Sequence, residues 1–337
     1  MIKVAAFGEV MMRLQTPDLQ LLKQANNLEM SFSGTGVNVV SALTNFGHHG
    51  FLVSKLPLNA VGEAAKSYLQ KLGIQTQYVV RGGDYLGIYF LEKGFGARPS
   101  RVTYTNRLDS SFNKGRMEDY DVENIIKEID LIHFCGITLA MNEQVREQVI
   151  LLATAVKQAG GKVIFDCNYR ASLWGENGYK KAKNYYEKML SLADLVMMNE
   201  RDAFSILGME TIHSERKDQL CELIPKVAAL YDIELIAGTH REIHGDNSHS
   251  LTGFMYLEQS MTFSKTLTFA VHDRIGSGDA FTSGIIHGYY KGFSPDKTVA
   301  FATTAGMIAH SIVGDTPMSS EYDIFQIMSE SVGDVER

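Results

Sequence analysis

A regular alternation of helical and strand-like segments between residues 121 and 237 constrains the fold of this chain more than any other feature. Four helical patterns each precede an apolar run typical of a buried strand: helix 121–129 before strand 131–135, helix 143–159 before strand 162–166, helix 178–192 before strand 194–198, and helix 215–230 before strand 233–237. Strands separated by helices of this length form βαβ units with right-handed crossovers. The sequence therefore predicts an α/β fold with a mostly parallel central sheet covered on both faces.

Two β-rich segments near the N-terminus interrupt this alternation. Residues 11–33 contain two short β-like pieces, and residues 86–106 contain two strands around a turn with Gly and Pro. These pieces have no place in a parallel sheet, so we expect them to form a small separate sheet, a β lid. Ligands of such folds bind beyond the carboxyl ends of the strands, and a lid over that edge would exclude water.

A glycine turn near the C-terminus, Gly276-Ser277-Gly278, follows a β-like segment at residues 261–269 and leads into an apolar helical pattern. The first backbone N–H groups of a helix are unpaired and favour anionic oxygens. Asp279, in the first helical turn, can accept a proton from a hydroxyl while these N–H groups hold the phosphoryl group under attack. The spacing alone also fits an ordinary tight turn with Asp as a helix cap.

Two further glycines, Gly284 and Gly288, lie on one face of the helix that follows the turn. They predict that another element packs very close to this helix. The sequence contains no Gly-x4-Gly-Lys-Ser/Thr, no Gly-x-Ser-x-Gly and no His-Glu-x-x-His. Those absences argue against the corresponding nucleotide, hydrolase and metalloprotease motifs.

The composition narrows the class of partner. A net charge of −7 argues against nucleic acid or an anionic membrane surface, so an anionic ligand would need locally placed Arg or Lys. Cys135 and Cys167 lie within apolar strand-like runs, as inert core thiols do. The N-terminus lacks an apolar stretch of signal-peptide length, and no run has transmembrane length, so we expect a cytoplasmic protein.

Polar side chains follow the strand at residues 162–166. Asp166, Asn168 and Arg170 alternate there, which predicts that they point to one side at the carboxyl edge of the sheet; the alternative is a plain polar turn. A second polar stretch, Thr239–His249, contains three histidines, His240, His244 and His249, without strict metal-ligand spacing. We expect this stretch to be a solvated loop and predict no metal site formed by side chains.

Three motifs carry a resemblance to a known family. Asp273-Arg-Ile-Gly-Ser-Gly-Asp279 resembles the C-terminal signature of the ribokinase-like (PfkB) carbohydrate kinases, usually Asp-Thr-x-Gly-Ala-Gly-Asp, with Arg274 in place of Thr and Ser277 in place of Ala. Gly34-Thr-Gly-Val-Asn38 resembles the Gly-rich N-terminal signature of the family. Asp166-Cys-Asn-Tyr-Arg-Ala-Ser-Leu-Trp174 looks like the Asp-x-Asn-x-Arg-x-x-Leu-Trp pattern of 2-keto-3-deoxygluconate kinases within it.

The resemblance extends from Gly8 to Asp315 and implies a ribokinase-like three-layer fold. It places a kinase domain over residues 1–320, with the lid segments at about 11–33 and 86–106 inserted, and a C-terminal tail at residues 321–337. It implies ATP and Mg²⁺ as cofactors and leaves a monovalent cation open. Asp279 would be the catalytic base, and the amides of Gly276 to Asp279 would form the anion hole.

The resemblance also implies roles for residues elsewhere in the chain. The expected substrate-binding residues are Gly34, Asn38, Tyr89, Tyr104, Arg107, Arg170 and Asp315. The expected cofactor-binding residues are Asp166, Asn168, Asn199, Thr239, Gly276, Ser277, Gly278 and Asp279. Two departures from the family stand out: Asp202 replaces a Glu in the motif that begins at Asn199, and the Tyr104–Arg107 spacing is one residue longer.

The expected function is ATP-dependent phosphorylation of the terminal hydroxyl of a sugar acid, 2-keto-3-deoxygluconate, to its 6-phosphate. Arg favours an acid because a planar guanidinium holds a carboxylate well, whereas a neutral sugar needs no such group. The alternatives are a fructokinase or another keto-sugar kinase and, outside enzymes, a catalytically silent sugar-sensing module. The lid strands carry apolar groups on both faces, which predicts a homo-oligomer joined through the lid: Ile88, Phe90, Val102 and Tyr104.

Overall fold

The computed structural model describes residues 1–96 and 98–329. The strands are β1 (Lys3–Phe7), β2 (Met11–Gln15), β3 (Glu29–Ser33), β4 (His49–Leu56), β5 (Val79–Arg81), β6 (Gly87–Glu92), β7 (Arg101–Thr105), β8 (Leu131–Cys135), β9 (Lys162–Asp166), β10 (Leu195–Met197), β11 (Leu235–Ile243), β12 (Ser248–Leu257), β13 (Ser260–Phe263) and β14 (Leu267–Ala270). The helices are α1 (Thr35–Asn45), α2 (Ala60–Lys71), α3 (Val122–Glu128), α4 (Gly136–Leu139), α5 (Glu143–Gln158), α6 (Ala171–Trp174), α7 (Gly178–Leu192), α8 (Glu200–Ser205), α9 (Arg216–Tyr231), α10 (Ser277–Lys291), α11 (Pro295–Ala309) and α12 (Glu321–Met328).

The main sheet has the strand order β13-β12-β11-β10-β9-β8-β1-β4-β5. Pairing is parallel from β11 to β5, as the alternation of helices and strands predicts. Successive apolar residues of β1 face opposite sides of the sheet. Val4 and Ala6 pack in one core cluster with α1 and α10, whereas Ala5 and Phe7 pack in the other with α5 and α7. Both faces are therefore buried, and the three-layer α/β arrangement is confirmed.

One edge of the main sheet is antiparallel, which the sequence interpretation missed. β11 continues to Ile243, turns, and pairs with β12, so His240 lies opposite Thr252 in a hairpin. The prediction that residues 239–249 form a solvated loop was wrong, because β12 buries one side against the α11 layer and holds the polar stretch in register. The β-like segment at 261–269 is likewise two strands, β13 and β14, which both pair with β12.

Close helix packing fixes the direction of α10. A Cβ added at Gly284 would lie 2.6 Å from the Cα atom of Ala302, and one at Gly288 would lie 2.7 Å from the Cγ2 atom of Thr298. Helices α10 and α11 therefore touch almost backbone to backbone, as the two glycines predict. No larger residue fits at either position without moving α11.

The lid is a four-stranded sheet in the order β3-β2-β6-β7. Strands β2 and β6 pair in parallel, with Met11 opposite Gly87, while β3 and β7 are antiparallel to their neighbours. This separate sheet confirms the assignment of both β-rich segments.

Part of the expected C-terminal tail forms the helix α12, whose Ile324 is fully buried, and residues 330–337 lie outside the described residues. No helix in the described ranges has both the length and the apolar character needed to cross a membrane.

Candidate active site

A cleft of about 900 Å³ lies where the lid faces the carboxyl ends of the parallel strands. Its walls combine lid residues such as Met11 with residues that follow β1, β8, β9 and β10. All the predicted site residues line this one cleft: Gly34, Asn38, Tyr89, Tyr104, Arg107, Asp166, Asn168, Arg170, Asn199, Thr239, Gly276, Ser277, Gly278, Asp279 and Asp315. The fold brings them together from across the chain; what each contributes to binding or catalysis stays a prediction.

The turn before α10 is built on a glycine that no other residue can replace without strain. Gly276 has φ 85° and ψ −6°, in the left-handed region, and caps the helix without any side-chain hydrogen bond. A Cβ at this position would lie 1.8 Å from the carbonyl oxygen of Asp315. The first-turn amides of α10 consequently have no capping side chain in front of them, and an anion can bind there.

Asp279 is buried in the first turn of α10, with 6% of its surface exposed. The Nδ2 group of Asn38 donates a hydrogen bond of 2.7 Å to its Oδ2 atom. Burial raises the pKa of Asp279 well above its usual range, and although the Asn38 hydrogen bond opposes this, nearby Asp166 and Asp315 raise the pKa further. Such a carboxylate holds a proton more tightly than a surface Asp, which suits a general base.

Asn38 and Gly34, both predicted to bind substrate, contact other residues of the chain in this structure. Asn38, predicted to bind substrate, orients the Asp279 carboxylate. Gly34 lies against the segment that follows β1, and a Cβ there would be 2.2 Å from the carbonyl oxygen of Glu9. Glycine is therefore required at residue 34 by the packing of the chain itself, whether or not a sugar hydroxyl also approaches.

The carboxylates at the end of β9 and after β10, Asp166 and Asp202, are both partly buried. Burial raises the pKa of Asp166 to about 7 and that of Asp202 to about 6, and the positive charge of Arg170 opposes both shifts. Asp202 accepts the backbone N–H of Asn199 at 2.9 Å, while the Asn199 side chain accepts the backbone N–H of Arg201 at 2.9 Å. These two residues form the capping box of α8, which the family motif alone did not indicate.

Asp166, Asn168 and Arg170 lie on the same side of the sheet edge as predicted, but they do not alternate along a strand. Strand β9 ends at Asp166, and Asn168 has φ 31°, so the backbone leaves the extended conformation between them. The Nδ2 group of Asn168 donates to the Sγ atom of buried Cys135 at 3.2 Å. The three side chains still reach the same cleft, because the turn brings them back toward the carboxyl edge.

Arg107 and Glu9 form the other end of the cleft. The Nε atom of Arg107 donates to the Glu9 carboxylate at 2.8 Å, and Ser110 and Asn113 donate to the same carboxylate at 2.8 and 3.0 Å. The guanidinium lies 4.8 Å from the ring centre of Tyr104. Its Nη1 atom is buried and has no hydrogen-bond partner, so a donor remains free for a ligand.

The opposite end carries two arginines without counter-ions. Arg241 and Arg274 both line the cleft, and neither guanidinium has a hydrogen bond or an ion pair among the described residues. Burial lowers the pKa of Arg241, and the positive charge of Arg274 lowers it further. Two close, uncompensated cations in a protein of net charge −7 favour an anionic ligand such as a polyphosphate.

The predicted site lacked Glu9 and Arg241, which line the cleft, and Arg13 and Asp273, which do not line it but form an ionic network with cleft-lining Asp315. Arg13 is a lid residue with 2% of its surface exposed, and its guanidinium contacts the carboxylates of Asp315 and Asp273. The sequence does contain a signal for this network: Arg13 is a charged residue inside the apolar run Met11-Met12-Arg13-Leu14. Because burying a charge without a partner is costly, an arginine there indicates a buried carboxylate partner. Two of the predicted histidines make protein contacts: His240 of β11 with Glu200 at 2.8 Å, and His244 of the following turn with Ser250 at 2.7 Å. Within the described residues, no three His, Cys, Asp or Glu side chains are grouped to hold a metal ion.

An uncapped helix N-terminus, a buried carboxylate beside it and a lid over both are features that a phosphotransferase needs. The pattern of the pfkB family carbohydrate kinases matches residues 1–231 of the chain. The chain therefore belongs to the PfkB family and is a carbohydrate kinase with a ribokinase-like fold. A kinase of this family uses ATP as its phosphoryl donor.

Three individual proteins show which carbohydrate kinases this chain resembles. The structure is similar to 2-dehydro-3-deoxygluconokinase from Thermotoga maritima, with 31% identity, a TM-score of 0.92 and coverage of 97% of this chain and 98% of that one. A protein from Enterococcus faecalis, provisionally described as a 2-keto-3-deoxygluconate kinase, shares 39% identity with a TM-score of 0.95, covering 100% of this chain and 99% of that one. The 2-dehydro-3-deoxygalactonokinase of Haloferax volcanii is 24% identical over 335 residues, 99% of each chain.

Proposed function

We propose that this kinase transfers the γ-phosphoryl group of ATP, with Mg²⁺, to the terminal hydroxyl of 2-keto-3-deoxygluconate and releases the 6-phosphate. The relatives described as kinases of this sugar acid and of its galactonate epimer support the substrate class. The observation that carries the proposal is that Arg107 and Arg170 both line the cleft and keep guanidinium donors free. Such groups suit a carboxylate and its neighbouring carbonyl better than a neutral ketose.

Asp279 removes the proton as the sugar hydroxyl reacts. The hydroxyl oxygen forms a bond to the γ-phosphorus, the bond from that phosphorus to the bridging oxygen of ADP breaks, and the proton passes to the Asp279 carboxylate. The first-turn amides of α10 stabilise the charge on the transferring group. Raised by burial, the pKa of Asp279 makes this carboxylate a stronger proton acceptor than an exposed one.

The donor end of the cleft fits a nucleotide triphosphate. Arg241 and Arg274 are without counter-ions there, and α10 offers uncapped amides beside Gly276. Asp166 and Asp202 line the same cleft and would hold Mg²⁺ through water. When bound, the ion neutralises phosphate charge. The lid excludes water, so that the sugar and not water receives the phosphoryl group.

A coupled assay for ADP release over a panel of sugars tests the proposed function directly. We expect turnover with 2-keto-3-deoxygluconate or its galactonate epimer and much weaker turnover with fructose. A preference for fructose would overturn the sugar-acid assignment in favour of a fructokinase. Absence of turnover on every sugar, despite ATP binding, would favour the sugar-sensing alternative. The presence of Asp279 and of the Gly276 turn argues against that alternative, because a protein that only binds sugar does not need a base.

Arg170→Lys separates recognition of the acid from other roles of the cleft. The change keeps the positive charge but removes the planar fork, so KM for 2-keto-3-deoxygluconate should rise by roughly ten- to a hundredfold, the loss of a charge-assisted hydrogen bond. Fructose lacks the carboxylate and should show a much smaller change. The measurement is kcat/KM for both sugars in wild type and variant. Equal losses on both would mean that Arg170 acts on phosphate or on the fold.

We propose further that a second copy of the chain covers the lid. Met30 is 59% exposed on the side of the lid that carries Leu14 and Phe90, away from cleft-lining Tyr89, and β3 and β7 are the edges of this sheet. Sedimentation at micromolar concentration should give a dimer or larger species, and Met30→Asp should shift it toward monomer. A wild type that sediments only as monomer would contradict lid pairing. A cytoplasmic location and a monovalent-cation requirement stay predictions.

A further inference from the structure

A buried ionic network joins the lid to the loops that carry the anion-binding turn. Arg13, in β2, contacts Asp315 through Nη1, and its Nη2 atom lies 3.2 Å from the Oδ2 atom of Asp273. The side chains of Arg13, Asp273 and Asp315 are 2%, 4% and 6% exposed. Lys93 lies 3.9 Å from the same oxygen of Asp273, so two cations balance two carboxylates. One arginine fork thus links two carboxylates that are 42 residues apart in sequence (315 − 273).

Each of the two carboxylates also holds a different part of the cleft. The Oδ1 atom of Asp273 accepts the backbone N–H groups of Arg274 at 2.8 Å and Ile275 at 3.3 Å, which fixes the chain directly before Gly276. Asp315 accepts the hydroxyl of Tyr89 from the lid, and its carbonyl oxygen lies against Gly276. Arg13 therefore stands between the lid tyrosine at the sugar end and the turn at the phosphate end.

We propose that Arg13 is a positioning residue that couples sugar binding to nucleotide binding. A sugar that contacts Tyr89 and Asp315 would fix the position of the Asp315 carboxylate. Arg13, which contacts both carboxylates, would then fix the position of Asp273 and of the backbone amides before Gly276. Coupling of this kind is reciprocal: sugar raises the affinity for nucleotide by the same factor as nucleotide raises the affinity for sugar. The inference rests on the kinase reaction and the cleft, and it does not depend on which sugar acid is bound.

The fork geometry makes Arg13 difficult to replace. A guanidinium presents several donors in one plane and reaches both carboxylates at once, whereas the ammonium of a lysine is a single point charge. Arg13→Lys should therefore keep the charge balance but lose the link. Arg13→Met removes both, and Arg13→Met with Asp273→Asn removes one cation and one anion together, which guards against misfolding from an unbalanced buried charge.

The test is the coupling factor between the two ligands, measured by calorimetry. The Kd of a non-hydrolysable ATP analogue is determined with Mg²⁺, with and without a saturating amount of the sugar that wild type binds best in the panel. In wild type the sugar should lower this Kd at least about fivefold. In the Arg13 variants that retain the wild-type circular dichroism spectrum, the ratio should fall to within about twofold of unity. The matched control is Arg101→Met, an exposed lid arginine with 75% of its side chain accessible, which should keep the wild-type ratio.

Two results would overturn the coupling role of Arg13. One is a wild type whose analogue Kd is insensitive to sugar. The other is an unchanged ratio in the folded Arg13 variants, including Arg13→Lys. A failure of the substrate proposal looks different: wild type then binds a neutral ketose in preference to the sugar acids, and the ratio is measured with that ketose.

Discussion

Asp279→Asn should lower kcat by about 10²–10⁴, the usual contribution of a positioned general base. Asn is nearly the same size and can still accept the hydrogen bond from Asn38, but it cannot take the proton of the sugar hydroxyl. Calorimetric affinities for sugar and nucleotide should stay within a few-fold of wild type. Because the base must be ionised, wild-type kcat/KM should fall as the pH drops below the raised pKa of Asp279, and the residual rate of the variant should lack this dependence. Unchanged turnover would remove Asp279 from the mechanism.

The same substitution should stabilise the fold at neutral pH. The folded-state pKa of Asp279 is raised above its unfolded value, so the native state binds the proton more tightly than the unfolded chain does. Stability is then lost as the pH rises from the unfolded pKa to the folded pKa, and the cost persists above both. Asn carries no such cost. Thermal unfolding should therefore show a higher Tm for Asp279→Asn at pH 8, with a smaller difference at pH 5. A Tm below that of wild type at both values would contradict the assigned direction.

Gly276→Ala should damage both stability and catalysis. The φ of 85° strains any residue with a Cβ, at a cost of about 1–3 kcal/mol, and the added atom would overlap the Asp315 carbonyl oxygen at 1.8 Å. The turn must shift, and a displacement of about 1 Å at a reacting centre can cost roughly a hundredfold in rate. We expect a lower free energy of unfolding in a denaturant titration and a fall in kcat/KM of at least about a hundredfold.

Gly278→Ala is the matched control for stability. A Cβ at Gly278 would meet no atom of another segment within 4 Å and the position is helical, so the free energy of unfolding should be equal to that of wild type or slightly higher. Gly276→Ala with wild-type stability would mean that the turn tolerates a side chain, and the account of its geometry would be wrong.

The parts of this fold that sequence predicts are those fixed by local pattern. The apolar runs at 131–135 and 162–166 are β8 and β9 to the residue, because a buried parallel strand admits few polar positions. The turn before α10 is predictable from its glycines, since Gly276 has the left-handed backbone conformation that a glycine adopts readily. In these cases a few adjacent residues determine the structure by themselves.

The missed features depend on partners distant in the chain or on one unusual backbone angle. Nothing near Arg13 in sequence shows that its guanidinium meets Asp273 and Asp315, which are 260 and 302 residues away. The positive φ of Asn168 ended an alternation that the residue types alone supported. The β11–β12 hairpin escaped notice because its polar residues resemble a loop until the register with β12 is known.

The 302-residue separation of Arg13 from Asp315 has a consequence for the synthesis of the molecule. A ribosome releases the chain from its N-terminus, and the parallel sheet from β5 to β11 needs only residues up to Ile243. Arg13 in β2 is among the first residues to emerge, but its partner Asp315 is synthesised only after α11. Every nascent chain therefore carries an uncompensated lid arginine through most of its translation. A premature stop between Ile243 and Asp315 would leave the parallel part of the sheet complete and Arg13 without its Asp315 partner.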